Sequence, residues 1–398
     1  MKPTTIFTAI QPTTNTHDLD ALARRAPATD DLLELAVWLS TNGATHLSAI
    51  ARIELAERLI TRRRFLIGAG ALSLGVITGC GAEEEVDAPT ATTDGMRMFD
   101  HPLLVDGPVR IPASPERIVA LDPFAYELLV LAGQPPLGAI GFMEEFRNNF
   151  PEAEELQQAL AQTESVGSFP TDVESVVALR PDLILSGAFL EETNAQLQEV
   201  APLLVIASGG SQWKSMMRFW GEALNQTDLV EQLFAAYEAR LATLRETVGN
   251  PTDITISIIR IREERIFMDT NNGASIVVED AGFSRPPSQA YTLEESEAQY
   301  GNPYAAEISR EELQLADGDY IFAWGAYYLD DVATAADRIL ESPVWQSLNA
   351  VQNEQAFQVG EHWIGRAFYG AHAVIDDLFR YVAEVDPQEV SPNPLLNA

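Results

Sequence analysis

The sequence predicts an α/β protein of two similar lobes joined by one long helix. Three observations carry this. From Arg117 onward, short apolar runs alternate with helix-period patterns, as expected for mostly parallel sheet. Midway, Leu229, Leu233, Tyr237, Leu241, Leu244 and Val248 recur at three- and four-residue spacing, which marks a long helix. A local pattern is repeated on either side of it. Asp172-Val173-Glu174 precedes a helix, and Asp182 opens a strand eight residues after the Glu; Ser309-Arg310-Glu311 precedes a helix, and Asp319 opens a strand eight residues after that Glu. In both halves the strand ends at a glycine, Gly187 or Gly325.

The elements follow in order. Ile118–Leu121 reads as a buried strand, Tyr126–Ala132 as a helix ended by Gly133, and Leu137–Ile140 as a strand. Val173–Leu179 is a helix, and Asp182–Leu185 and Leu203–Ile206 are strands. The long helical segment runs from Lys214 to Val248, with a start at Asp228 and a stop at Gly249-Asn250-Pro251. Ile254–Ile261 is a β-branched strand that pairs with Ile266–Met268 across a short turn. Ile276–Ala281 is a helix, Asp319–Trp324 and Ala356–Val359 are strands, and Ala371–Val385 is a closing amphipathic helix.

Composition narrows the function. The chain has 398 residues, Lys+Arg 25 against Asp+Glu 59, and a net charge of −34. Such a body repels phosphate backbones, which excludes a nucleic-acid binder. An apolar fraction of 46% is that of a globular chain. One cysteine, Cys80, excludes an internal disulfide, a four-cysteine zinc site and a cysteine-held iron–sulfur cluster.

That cysteine ends an apolar stretch opened by Thr61-Arg62-Arg63-Arg64-Phe65-Leu66-Ile67. The stretch is shorter than the roughly 20 residues needed to span a bilayer. A basic region before a short apolar one is an export signal. Arg62-Arg63 resembles the twin-arginine motif, and Ile77-Thr78-Gly79-Cys80 resembles a lipoprotein signal-peptidase box. The pair implies that Cys80 is acylated and heads the mature protein. The expected organisation is a 1–60 extension, a 61–80 signal, an 81–113 flexible tether, a 114–212 lobe, a 213–250 connecting helix and a 251–398 lobe. Residues 1–60 precede the signal, either through a start site placed upstream or as a long region removed on export. Removal of residues 1–80 leaves 17 of the 25 basic and 52 of the 59 acidic residues, a charge of −35, with Lys214 the single lysine. An acidic exported surface of this kind suits salty surroundings.

Several blocks together match a family. They are Pro115-Glu116-Arg117-Ile118-Val119-Ala120-Leu121-Asp122, Glu127-Leu128-Leu129, Val166-Gly167-Ser168 leading into Glu174–Leu185, Gly282-Phe283-Ser284-Arg285-Pro286, and Trp363–Leu378 ending in Ile375-Asp376-Asp377-Leu378. Over about Ser114–Val385 the chain resembles ABC-transporter substrate-binding lipoproteins that carry ferric siderophores, haem or cobalamin, the class III periplasmic binding proteins. The resemblance implies two Rossmann-like lobes bridged by a rigid helix, ligand in the cleft, and little closure motion. It implies a monomeric, lipid-anchored receptor outside the cytoplasmic membrane. That receptor hands a ferric siderophore to a permease dimer with its ATPase and needs no cofactor, because the ligand brings its own chelated Fe3+.

The Arg285–Gln289 block and the Ile259–Arg262 strand look most like ferric-siderophore members, so an anionic carboxylate, citrate or hydroxamate chelate is expected. Arginine suits a carboxylate through its planar fork. Arg260, Arg262, Arg285 and Arg366 are therefore candidate ligand contacts, though Arg260 and Arg262 also have Glu263 and Glu264 to pair with. Trp213, Trp324 and Trp363 are candidate aromatic walls or core residues. Phe124, Tyr327 and Tyr328 follow strands, whose carboxyl ends face the crevice in open α/β sheets. The resemblance implies that Glu174 and Glu311 dock on permease arginines; alone, each would also stabilise a helix start.

Other functions fit less well. A free-metal site needs clustered histidines, and none of the five lies between Ser114 and Gln212. Haem or cobalamin binding by the same fold is the nearer alternative. An enzyme is disfavoured because no nucleophile elbow, phosphate loop or zinc-protease motif is present. A structural envelope lipoprotein is the remaining alternative.

Overall fold

The computed structural model describes residues 95–168, 171–207, 212–262 and 264–396. Arg62, Arg63 and Cys80 lie outside them. In the first lobe, β3 (Ile118–Ala120), β4 (Gly138–Ala139), β5 (Glu164–Ser165), β6 (Leu183–Gly187) and β7 (Leu203–Ile206) form a fully parallel sheet of order β5-β4-β3-β6-β7. Its central strands are buried on both faces, which is why they read as continuous apolar runs. Crossovers run through α1 (Pro123–Leu131), α2 (Phe142–Asn149), α3 (Glu154–Gln162), α4 (Val173–Leu179) and α5 (Glu191–Leu197).

In the second lobe, β8 (Ile256–Arg262), β9 (Arg265–Asp269), β10 (Ala305–Ile308), β11 (Tyr320–Trp324) and β12 (Ala356–Val359) have the order β10-β9-β8-β11-β12. β8, β11 and β12 are parallel, and β9 and β10 are antiparallel additions. The expected β8–β9 hairpin is present in register Ile259↔Met268. Helices α8 (Gly273–Asp280), α9 (Leu293–Tyr300), α10 (Asp330–Leu340) and α11 (Ala367–Tyr381) flank this sheet.

The repeated pattern has a physical meaning. Asp182 accepts from the Glu116 and Arg117 N–H groups, which lead into β3 (2.9 and 3.0 Å). Asp319 accepts from the Thr255 N–H, which leads into β8 (2.7 Å). In each lobe an aspartate pins the start of its own strand to the neighbouring one. Asp172 caps α4 on the Glu174 N–H, and Glu312 accepts from the Ser309 N–H. The Arg310–Ala316 segment is 3₁₀ rather than α-helical.

The expected single connector is two helices, α6 (Trp213–Ala223) and α7 (Thr227–Val248). Asn225 takes a left-handed conformation (φ +56°) between them, which ends one helix before the next starts. A Cβ on Gly221 would sit 2.9 Å from the Val230 side chain, so the glycine permits the tight crossing. With 22 residues, α7 is about 33 Å long. Lys214 of α6 and the Tyr237 hydroxyl of α7 both bond the Asp280 carboxylate of α8, and Arg245 donates to the Asp280 carbonyl (2.7 Å). Buried Arg240 pairs with Asp376 of α11, whose other oxygen accepts from Asn393 (2.9 Å). The single lysine of the exported body thus stands at the joint between bridge and second lobe.

The expected tether ends earlier than residue 113. Strands β1 (Met96–Phe99) and β2 (Val109–Pro112) pair antiparallel. The buried Arg97 guanidinium donates to the Ala223 carbonyl (2.6 Å), satisfying a helix-end acceptor. Residues 100–108 form a turn closed by the Leu104 N–H on the His101 carbonyl.

The lobes also meet directly. Glu127, in α1, is fully buried and accepts from the Phe368 and Tyr369 N–H groups at the start of α11 (2.6 and 3.0 Å). Phe150 packs on Tyr369 at 5.5 Å between ring centroids. The carboxylate thus caps a helix of the opposite lobe. Burial pushes its pKa up to about 8, against the pull of the two N–H groups. A raised acid favours the folded state below its unfolded pKa and withdraws that support as pH rises through the folded value. Wild-type stability should therefore fall by roughly 2 kcal/mol between about pH 6.5 and 8.5. Glu127→Gln, which cannot ionise, should show a flatter profile in denaturant melts; parallel profiles would contradict this assignment.

Candidate functional site

A cavity of about 700 Å³ lies between the lobes. In the first lobe its wall comes mainly from segments that follow strands: Asp122 and Phe124 after β3, Gly141, Phe142, Glu144 and Glu145 after β4, and Phe189 after β6. This is where parallel sheets leave room for ligands. The second lobe supplies Arg260 of β8, Asn271–Gly273 between β9 and α8, Tyr304, Tyr328 after β11, and Glu361, Ile364 and Arg366 after β12.

Backbone packing fixes the second wall. A Cβ on Gly273 would lie 2.1 Å from the Gly365 carbonyl oxygen, so only glycine allows this contact. Gly365 is itself left-handed (φ +68°), and Ala367 follows at φ +43°. The chain thus turns sharply around Arg366 before α11 begins, with Glu127 receiving the first free N–H groups.

The polar groups are largely engaged with one another. Arg366 Nη1 donates to Glu145 Oε2 across the cleft at 2.7 Å. Arg260 stands over the Phe267 and Trp324 rings, 4.6 and 5.5 Å from their centroids, with the Asp269 carboxylate 3.7 Å away. The Tyr328 hydroxyl donates to Glu361 Oε2 at 2.9 Å. Asp122 is fully buried; its Oδ1 accepts from the Phe124 and Ala125 N–H groups and from Trp220 Nε1. Its Oδ2 has no partner. Burial lifts Asp122 to about 6, and burial also raises Glu145 above the ordinary carboxylate range. The rim carries three partly exposed aromatics, Phe189, Tyr304 and Tyr328, at 50, 37 and 49% exposure, which present flat apolar faces to the cavity mouth.

Four of the ten expected ligand contacts line this cavity: Arg260, Arg366, Phe124 and Tyr328. The other six stand elsewhere for identifiable reasons. Arg285 is buried beneath the sheet, donating to the Asp269 carbonyl (2.6 Å) and to Gln289, which in turn holds the Ile258 N–H and Ser257. Arg262 lies at the exposed end of β8, beside Arg265. Trp213 packs inside the bridge among Phe234, Tyr237 and Phe368. Trp324 is buried with its indole N–H on Asp269. Trp363 stacks on Phe322 at 4.2 Å and donates to Asp377. Tyr327 turns inward, its hydroxyl on the Ala323 carbonyl. The expected four-arginine anion site is thus reduced to two arginines, each already facing a carboxylate.

Phe189, Tyr304, Glu144 and Glu145 were not among the expected contacts. The strand-end rule that pointed to Phe124 also reaches Phe189, two residues beyond β6, and the residues after β4. Glu174 and Glu311 are both exposed. Among the described residues, no three His, Cys, Asp or Glu side chains form a metal-holding group. No described helix is long and apolar enough to cross a membrane.

Comparison with known proteins extends this picture. The periplasmic binding protein family matches over residues 116–362. A probable siderophore-binding lipoprotein of Bacillus subtilis, YfiY, is 25% identical over 319 residues, covering 78% of this chain and 95% of that protein. An achromobactin-binding periplasmic protein of Dickeya dadantii is 26% identical over 276 residues, covering 67% and 86%. Among solved structures, Staphylococcus aureus SirA complexed with staphyloferrin B superposes with a TM-score of 0.60 at 22% identity, covering 72% of this chain and 98% of that one. Bacillus subtilis FeuA complexed with ferri-bacillibactin gives 0.58 at 19%, covering 72% and 98%. The two α/β sheets and the bridging helices are the fold of these class III structures. The family match, the two-lobed fold and the cavity between the lobes agree: the chain belongs to the periplasmic binding protein family.

Proposed function

We propose that this protein captures a ferric siderophore outside the cytoplasm and delivers it, chemically unaltered, to an ABC permease. One observation carries the reading above the others. The cavity between the lobes is rimmed by aromatics and walled by polar groups that are largely engaged with one another, as suits a bulky preassembled chelate. The relatives named for siderophore binding supply the ligand class. Iron arrives already chelated, so the protein needs no metal ligand or cofactor of its own. The relatives named for siderophores favour the chelate over haem or cobalamin. The relatives are named for binding, which supports binding rather than catalysis.

Delivery is assigned to Glu174 and Glu311. Each stands exposed at a helix start, one per lobe, at the same offset from its capping residue. Each has an exposed apolar neighbour shortly after it, Val177 at 48% and Leu315 at 50%. Export through the Arg62-Arg63 signal and acylation of Cys80 complete the proposal, tethering a monomeric receptor to the outer face of the membrane.

Two measurements test this. A ligand that binds only the folded chain stabilises it by mass action, by about 2.7 kcal/mol at a hundredfold excess over Kd. At least one ferric siderophore should raise the melting temperature, and haem and cobalamin should not; a rise with haem or cobalamin alone would overturn the ligand assignment. The double substitution Glu174→Ala, Glu311→Ala should abolish uptake in cells while the ferric-chelate Kd stays within about twofold of wild type. Normal uptake by that variant would remove the docking role.

A further inference from the structure

The charge of the cleft wall points to a ligand class that the sequence did not suggest. Resting on the ferric-chelate reading above, we propose that this cleft selects ferric complexes of neutral or positive net charge, with a pendant ammonium or other donor set against its carboxylates, and disfavours anionic complexes. Six ionisable side chains other than tyrosine line the cavity: Asp122, Glu144, Glu145, Glu361, Arg260 and Arg366. The carboxylates outnumber the guanidiniums by two. Arg366 pairs with Glu145, whereas Arg260 faces the buried Asp269 at 3.7 Å and its Nε donates to no described group. An anionic ligand at Arg366 would have to displace Glu145 and leave it beside the new negative charge, and one at Arg260 would stand beside Asp269.

The remaining carboxylates are the informative ones. Neither Glu144 nor Glu361 is in an ion pair with a described residue; Glu361 receives only the Tyr328 hydroxyl. Asp122 adds an independent sign. It is fully buried on the cavity wall, and its Oδ2 accepts no hydrogen bond. A buried oxygen of this kind calls for a donor. The chain beyond residue 80, at −35 with the cleft included, adds a long-range field of the same sign, which favours approach of cations. The aromatic rim of Phe189, Tyr304 and Tyr328 accepts either charge class, and cation–π attraction tilts it toward positive groups.

The test compares four complexes on the purified full chain by calorimetry at fixed low ionic strength. They are a linear ferric trihydroxamate with a free terminal ammonium, the same complex N-acetylated at that amine, a ferric tris-catecholate and a ferric citrate. The ammonium complex should bind at least about tenfold more tightly than its acetylated twin, and both more tightly than the two anions. Raising the salt should shrink the gap between the twins. In the double variant Glu144→Gln, Glu361→Gln the gap should fall below about threefold while the acetylated complex still binds, which also reports that the variant is folded. Equal binding of the twins by wild type, or tighter binding of either anion, would overturn the proposal. Binding of none of the four would overturn the ferric-chelate reading itself, an outcome distinct from a charge preference of the wrong sign.

Discussion

The contact on which the cleft depends is a carboxylate of one lobe capping a helix of the other. Glu127 rises from α1, directly behind the first strand, and takes the Phe368 and Tyr369 N–H groups that α11 cannot satisfy internally. Without it those donors would be buried and unpaired, at about 1–3 kcal/mol each. The same few residues hold the ligand wall. Asp122 precedes α1, Arg366 precedes α11, and the strained turn through Gly365 and Ala367 sits between them. Around this point the bridge adds its own ties, with Trp220 on Asp122, Lys214 and Tyr237 on Asp280, and Arg240 on Asp376. The two walls are therefore positioned by buried polar contacts rather than by the connector alone, which is what a preformed cleft requires.

A preformed cleft must do its selecting with what already lines it. Aromatic faces give area at little entropic cost, and the charged groups set the sign. The Arg366–Glu145 pair spans the cleft, so it serves both as a strut and as a polar edge of the site.

Much of this was legible in the sequence, for reasons that can be named. Buried parallel strands are apolar on both faces, so Ile118–Ala120 and Leu203–Ile206 stood out, and the Asp182 and Asp319 echoes marked the two lobes. The break at Asn225 did not, because helix periodicity continues on both sides and only backbone conformation separates them. Of the expected ligand contacts, two of the three chosen by position after a strand line the cavity, Phe124 and Tyr328, against two of the seven chosen by residue type, Arg260 and Arg366. Phe124 lines the cavity, whereas tryptophans and arginines are large enough to serve as core or brace, as Trp363 and Arg285 do. The Glu127 and Asp376-Asp377 positions lie in the blocks that suggested the family from sequence, and the structure gives them a role: they cap, brace and anchor α11. Burial and partner choice across 200 residues of sequence are not local properties, so residue type alone could not have supplied them.

The central claim is that the lobes hold a ready cleft and bind without closing. Double electron–electron resonance tests it most directly, in the full chain with Cys80→Ser and spin labels at Glu152→Cys and Gln346→Cys, exposed positions on opposite lobes. On saturation with a ferric chelate, the mean interlabel distance should move by less than about 2 Å. A shift well beyond that, or collapse of a broad unliganded distribution into a narrow one, would contradict the preformed cleft.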